Sequence, residues 1–315
     1  MENSIIERSA PGKVILCGEH SVVYGRPAIA VPVSDLRAHA YAKNGGRHRG
    51  VRVHALDLGQ EVRLRDAPPD NPLAKTVSLV LSHFGVDEPD VMVTLKSDLP
   101  IASGMGSGAA VTVAIARALS AYLGEELPTD IVNALTYEVE KIHHGNPSGI
   151  DNTVVAWEKP VYFVRGQPPQ VFEIGKPFHL LVANSGIASS TREAVADVQA
   201  QWRAAPEHYD MIFNCIGNIA RAARVAVQEG ALQTLGVLLD ENHRLLRMLG
   251  ISLPELDQLT EAAKQAGAYG AKLTGSGLGG NVIAVTDGDH VPAVIAALRS
   301  GGAVNVWHTQ VGAPA

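Results

Sequence analysis

Cysteine is nearly missing from this chain of 315 residues: Cys17 and Cys215 stand far apart and match no metal or redox spacing. That excludes a disulfide scaffold and suits a reducing compartment. Basic excess is missing too, since 26 Lys and Arg face 32 Asp and Glu for a net charge of -6, so no footprint for nucleic acid exists. No apolar run reaches the roughly 18 residues of a membrane span. The opening "MENSIIERSAPGK" has no apolar core of a secretory signal. Internal repeats, low-complexity tracts and the G-x-x-x-x-G-K-[ST] phosphate loop are likewise absent. These absences predict a soluble cytoplasmic protein that binds neither membrane nor nucleic acid. What is present is a hydrophobic share of 46%, enough for large cores, and 31 glycines whose clustering carries the information.

Short Val-rich runs bounded by Gly, Asp or Asn predict strands or hairpins in "KVILCGEHSVVYG", "PAIAVPV", "RAHAYAK", "GVRVHAL" and "EVRLRD". Helical spacing follows in "LAKTVSLVLSHF", a strand in "DVMVTLKSDLP", then an Ala/Val-rich helix after a glycine loop. A further helix is expected in "TDIVNALTYEVEKIHH", with Thr129 or Asp130 as its N-cap. Strands are expected in "NTVVAWEKPVYFV", "PQVFEIG" and "FHLLVANSG", and a helical block from Ser190 to about Gly267. The end reads strand, glycine turn, strand, helix, strand. Strands and helices do not alternate regularly, so two α+β domains are expected, 1–177 and 178–315, dividing near Pro177 where "GQPPQ" and "GKPF" interrupt the chain.

"GMGSGA" (104–109) and "GSGLGG" (275–280) both fit dinucleotide fingerprints by letter. The context fails: "KSDLPIAS" separates the first from its strand, and the second opens no helix. What survives is an anion cradle, with Ser103, Ser107 and the N–H groups of Gly106 to Ala109 around a helix N-terminus. Its structural alternative is a glycine turn with Ser107 as a plain helix cap. The cradle does not stand alone. "HHGNPSGIDN" (143–152) crowds hydrogen-bonding groups around Asp151, Glu140 lies on the helix leading into it, and "APGKVILCGEHSVVYG" offers Lys13, Glu19 and His20. Two carboxylates, a lysine and a glycine cradle suit metal-assisted phosphoryl transfer, in which Mg²⁺ takes one or two carboxylates plus phosphate oxygens. Taken singly, Lys13 also fits a solvated strand charge, Glu19–His20 a hydrogen-bonded turn, and Glu140–Lys141 a surface pair. His143–His144 lack partners at zinc spacing, so zinc is rejected.

"PGKVILCGEHSVVYG", "PIASGMGSGAAVTVA" and "KLTGSGLGGN" resemble, in order and spacing, the three signature motifs of the GHMP kinases, and the resemblance spans nearly the whole chain. Within that family, "GEHSVVYG" and "HGNPSGIDN" are similar to the branch that phosphorylates mevalonate. The resemblance implies an N-terminal α/β domain like that of ribosomal protein S5 and a C-terminal ferredoxin-like α+β domain. It implies ATP and Mg²⁺ as cofactors, mevalonate as substrate, and a possible homodimer through the helical block. Asp151 is implied as the catalytic base and Lys13 as the cation beside it; Glu140 is implied as a Mg²⁺ ligand, and Glu19, His20 and Thr191 as substrate contacts. Pro100, Ser103, Gly104, Met105, Gly106, Ser107, Gly108 and Ala109 are implied to hold the nucleotide.

Two departures stand out. The second motif usually reads GLGSSAA, with its second serine on Mg²⁺; Gly108 stands there, leaving Ser107 or a water to serve. In the third, Leu278 and Asn281 replace the usual small residues. Another GHMP kinase, acting on phosphomevalonate or a sugar, is the enzyme alternative, with Arg192 as the candidate for a substrate phosphate. A non-catalytic nucleotide-binding relative is the other, and the presence of both Lys13 and Asp151 speaks against it.

Overall fold

The computed structural model describes residues 5–100, 104–144 and 147–312, and its contacts divide the chain into two compact units. One comprises Met1–Lys13 and Leu36–Glu158, the other Val14–Asp35 and Lys159–Ala315. These units do not follow the linear division expected at Pro177. Strands β1 (Ile6–Cys17) and β2 (Ala28–Asn44) each belong in part to both. The Gly–Pro stretch is also no linker: the Gly175 N–H donates to the Val227 carbonyl at 3.0 Å inside the second unit.

In the first unit, Leu36, Ala38, Ala40 and Ala42 of β2 are buried at every second position, the period that turns one strand face inward. β3 (Arg52–Ala55), β4 (Gln60–Arg63), helix α1 (Pro72–Phe84) and β5 (Val91–Ser97) follow, in sheet order β4-β3-β5-β2. β5 sets Val93 and Leu95 opposite Ala42 and Ala40. Helix α1 has every local signal it needs: Asn71 accepts from the Ala74 N–H at 3.0 Å, Pro72 opens it, and Gly85 closes it at φ 61. Helix α2 (Ser107–Leu123) is buried almost all round, as its Ala/Val content requires, and packs on α1, on α3 (Thr129–His144) and on α4 (Ile150–Trp157). Helix α3 starts at Thr129 itself, with the Val132 N–H on the Pro128 carbonyl at 3.0 Å, so Thr129 and Asp130 lie in the first turn rather than at the cap.

Two strand expectations give way here, and a third at Ser21–Tyr24, described with the site. "PAIAVPV" and "RAHAYAK" are one 17-residue strand, β2, which pairs with β6 through Ala28–Ala30 and with β5 through Ala38–Asn44. The segment from Asn152 to Trp157 is helical, not extended. Val154 and Val155 are both fully buried, and a short run buried on all sides reads alike as strand or helix. Thr153 Oγ1 donates back to the Gly149 carbonyl at 2.6 Å, a helical i−4 bond. Glu158, left-handed at φ 53, ends α4, and its carboxylate clamps Arg37 (2.9 and 3.1 Å) and Arg117 (2.5 Å).

The second unit holds β6 (Val161–Phe163) and β7 (Gln170–Val171), then β8 (Phe178–Asn184) and four helices: α5 (Thr191–Ala204), α6 (Pro206–Glu229), α7 (Leu232–Met248) and α8 (Pro254–Gln265). β9 (Gly270–Thr274), β10 (Asn281–Thr286), α9 (Val291–Ser300) and β11 (Asn305–Val311) complete it. Four strands form an antiparallel sheet in order β11-β8-β10-β9. Helix α7 lies along β9. A Cβ on Gly270 would stand 2.0 Å from the Gly236 carbonyl oxygen, so two glycines permit the approach. From that helix Asp240 accepts the Ala271 N–H (2.9 Å) and His243 Nδ1 the Leu273 N–H (3.2 Å), the two donors that β9 turns away from β10.

The close approach makes a prediction. A Cβ at position 236 would lie 2.2 Å from the Tyr269 carbonyl oxygen, which cannot swing away. Gly236→Ala should therefore lower stability by about 1–3 kcal/mol, as overpacking does. Urea unfolding measures it; a midpoint equal to the parent's would mean the helix is free to lift from the strand.

Candidate active site

Lys13 rises from β1 inside the first unit, where its N–H donates to the Met105 carbonyl at 2.9 Å. This bond carries the glycine loop onto the lysine. Gly106 takes φ 71, and a Cβ there would fall 2.9 Å from Lys13 Cγ, so the lysine stem lies across a position that must be bare. Gly12 is constrained alike, its missing Cβ leaving room for Leu99 and the Met105 carbonyl. Lys13 is only 7% exposed, which removes the solvated-charge reading, and its Nζ lies 3.1 Å from Asp151 Oδ1.

Asp151 stands in the first turn of α4, where the helix dipole favours a carboxylate. Its helix is locked to α3 through Asn133, whose Oδ1 accepts from Asn152 Nδ2 at 2.6 Å. Glu140, on α3, is 4% exposed, so it is no surface group. Burial pushes its carboxyl up to about 7; the negative Asp151 nearby pushes the same way, and Lys13 pulls it back. Lys13, Asp151 and Glu140 are thus neighbours, as expected.

The loop reaches α2 at Ser107. The cap residue is Gly106, which makes no side-chain cap bond, so Ser107 is the first helical residue and not the cap. Ser107 is half-buried and Gly108 exposed, while Met105 and Ala109 are buried. Backbone donors at a helix start without a side-chain cap make a ready anion seat. Pro100 follows β5 and is half-buried, and Gly104 is exposed. Ser103 lies outside the described residues, as do Gly145 and Asn146 of the second loop and the side chains of His143 and His144.

Glu19, His20 and Thr191 belong to the second unit. After β1 ends, Gly18 (φ 104) and His20 (φ 58) bend the chain into a 3-10 turn at Ser21–Tyr24, where a strand or hairpin was expected. His20 Nε2 bonds the Ser276 carbonyl at 2.9 Å and burial pushes its imidazole down. Ser276 also meets Ser189 (Oγ to Oγ, 3.4 Å), which brings the glycine turn beside the segment leading to Thr191, itself exposed at the start of α5. That turn is wedged: a Cβ on Gly277 would lie 2.2 Å from the Ile251 carbonyl oxygen. Leu278, one of the unusual residues, takes φ 54 and donates its N–H to Ile251 O at 2.8 Å. Asn281, the other, accepts from Asn184 Nδ2 at 2.8 Å.

Sequence reasoning missed Lys272. It pairs with Glu19 through a buried ion pair, at 0% and 3% exposure. Lys272 is the first letter of "KLTGSGLGGN", and that motif gives it no role.

Two family models match the chain: the GHMP kinases N terminal domain over residues 71–158 and the GHMP kinases C terminal over residues 223–304. A curated Mevalonate kinase of Thermococcus sibiricus is 35% identical over 297 residues, covering 88% of each chain. Among solved structures, L. major mevalonate kinase in complex with R-mevalonate superposes with TM-score 0.81 at 30% identity, covering 97% of this chain and 95% of that one. The Methanococcus jannaschii Mevalonate Kinase superposes with TM-score 0.85 at 26% identity over 99% of both. The chain belongs to the GHMP kinases and has their two-domain mixed α/β fold. Its place within them is with the mevalonate kinases, phosphotransferases with an alcohol group as acceptor.

Glu140 makes stability depend on pH. Its folded affinity for protons exceeds the unfolded one, so its contribution is full below about pH 4.5 and is lost as pH rises through about 7. For the metal-free protein the loss should be on the order of 2–3 kcal/mol. Urea unfolding at pH 5 and 7.5 should show it in the parent and not in Glu140→Gln; equal pH slopes in both would remove Glu140 as the cause.

Proposed function

We propose that this chain transfers the γ-phosphoryl group of ATP to the 5-hydroxyl of mevalonate. The observation that carries the reading is the Lys13–Asp151 pair, 3.1 Å apart at the head of α4, with buried Glu140 beside it.

In this reading the Asp151 carboxylate accepts the hydroxyl proton as the oxygen–phosphorus bond forms and the bond to the departing ADP breaks. Lys13 fixes that carboxylate and offsets negative charge that grows at the reacting oxygens. The loop of residues 100–109, running into α2, binds the phosphates of ATP through backbone N–H groups. The donors suit Mg²⁺: Glu140 supplies a hard carboxylate oxygen in a place where burial and Asp151 call for a positive charge, and Ser107 supplies a half-exposed hydroxyl. With Gly108 where the related motif carries its second serine, waters and phosphate oxygens would complete the set. Bound there, Mg²⁺ would neutralise phosphate charge. Glu19, His20 and Thr191 are assigned to mevalonate.

ADP release from Mg-ATP, compared over mevalonate, 5-phosphomevalonate, galactose and homoserine, tests this. Turnover should be confined to mevalonate and fall by about 10²–10⁴ in Asp151→Asn. Turnover on another acceptor would overturn the substrate; parent-like turnover in the variant would overturn the base.

A further inference from the structure

Asn152 follows Asp151 in α4 and is only 3% exposed, yet its side chain ends in a polar amide. Its Nδ2 donates to Asn133 Oδ1 at 2.6 Å and reaches the Asn133 carbonyl at 3.5 Å, so both bonds go to α3. The amide is only half satisfied. Its Oδ1 is buried and has no hydrogen-bond partner among the described residues. Exchanging the two amide ends would set that oxygen against both oxygens of Asn133, so the bond itself fixes the orientation. A half-satisfied buried amide stabilises a fold less than an apolar side chain of its size. Its presence in a native protein calls for a reason other than stability.

The packing around it supplies that reason. Ile150, Val154, Val155 and Ala156 of α4 are buried and apolar, and apolar contact has no preferred direction. Thr153 turns its hydroxyl back to the Gly149 carbonyl at the head of its own helix, at 2.6 Å. On α3, Thr136 likewise bonds inside its helix, to the Val132 carbonyl at 2.8 Å. A single buried Asn fixes the register of two helices where apolar faces alone would let them slide. What this register sets lies close by: Asp151 is the neighbour of Asn152, and Glu140 stands about two turns along α3 from Asn133. A slip of one turn moves a helix by about 5.4 Å. That would take Asp151 out of reach of Lys13, which now stands 3.1 Å away. Tyr137, between Asn133 and Glu140, adds a weaker tie, its Oη donating to the Pro147 carbonyl at 3.4 Å.

We propose that Asn133 and Asn152 are positioning residues for the kinase reaction: their amide bond fixes the register of α4 on α3 and so holds Asp151 at Lys13. The inference rests on the reading that Asp151 is the base. The pair acts through that carboxylate and not on either substrate, so its loss is read in kcat and not in KM.

The test compares the parent, Asn133→Leu with Asn152→Leu together, Asn133→Asp, and Asp151→Asn in ADP release from Mg-ATP and mevalonate. Replacing both amides by apolar groups removes the bond without orphaning a partner, so the urea midpoint should not fall below the parent's. kcat should nevertheless drop about 10- to 100-fold, the scale of a misplacement of about 1 Å, with both KM values near the parent's. Asn133→Asp keeps an acceptor for Asn152 Nδ2 and should retain most of the parent's kcat. Added to Asp151→Asn, the two leucines should cost nothing further, because the group they displace is already gone. If the double leucine variant does not fold, Asn133→Ala takes its place in the kinetic comparisons. Parent-like kcat without the bond overturns the proposal. So does a full further loss in the Asp151→Asn background, or a loss in Asn133→Asp as large as in the leucine variant. Parent-like turnover in Asp151→Asn overturns the base reading, and the proposal with it. Turnover of the parent on another acceptor overturns the substrate alone, and the same variants are then compared on that acceptor.

Discussion

The first unit depends on a position where nothing can be added. Lys13 crosses the bare backbone of Gly106, and its own N–H holds the Met105 carbonyl. Any side chain at 106 would push the lysine stem aside, and with it the ammonium that meets Asp151. The same glycine is the left-handed cap from which α2 starts. One residue therefore sets both where the cation lies and where the helix presents its unbonded donors. Chemistry that needs a lysine, a carboxylate and an anion seat in fixed relation gains that relation from local backbone geometry rather than from long side chains.

Helix starts and buried polar groups divide the labour between the two units. In the first, Asp151 and the glycine loop each sit at the head of a helix, where dipoles favour negative charge. Glu140, by contrast, is held under burial and beside the like charge of Asp151, which together raise its carboxyl against the pull of Lys13. The second unit works through buried pairs. Glu19 and Lys272 pair with each other, and His243 of α7 ties β9, the strand that carries Lys272, to Asp257 of α8.

Much of this was legible in the letters. The glycine loop, the strand before it and the helix after it lie where the periodicity put them, as do the four helices from Thr191 to Gln265. Lys13, Asp151 and Glu140 could be grouped because each sits in a motif of polar residues out of keeping with its apolar surroundings. Three things were hidden. The valines of α4 are buried on every side, so no period-2 or period-3.6 contrast remained to tell helix from strand. The two units interleave because long strands pass from one to the other, and no composition change marks such a passage. Lys272 finds Glu19 across 253 residues of chain, a pairing that no local spacing encodes.

The placement of α7 along β9 has a consequence for the chain in a crowded solution. An outermost strand offers its free N–H and C=O groups to any extended segment that drifts past, which is how sheets recruit other molecules. Here the Ala271 and Leu273 donors are already occupied by Asp240 and His243. The helix thus closes the margin of the sheet to outsiders, and two side chains of α7 serve as a guard against strand-to-strand aggregation.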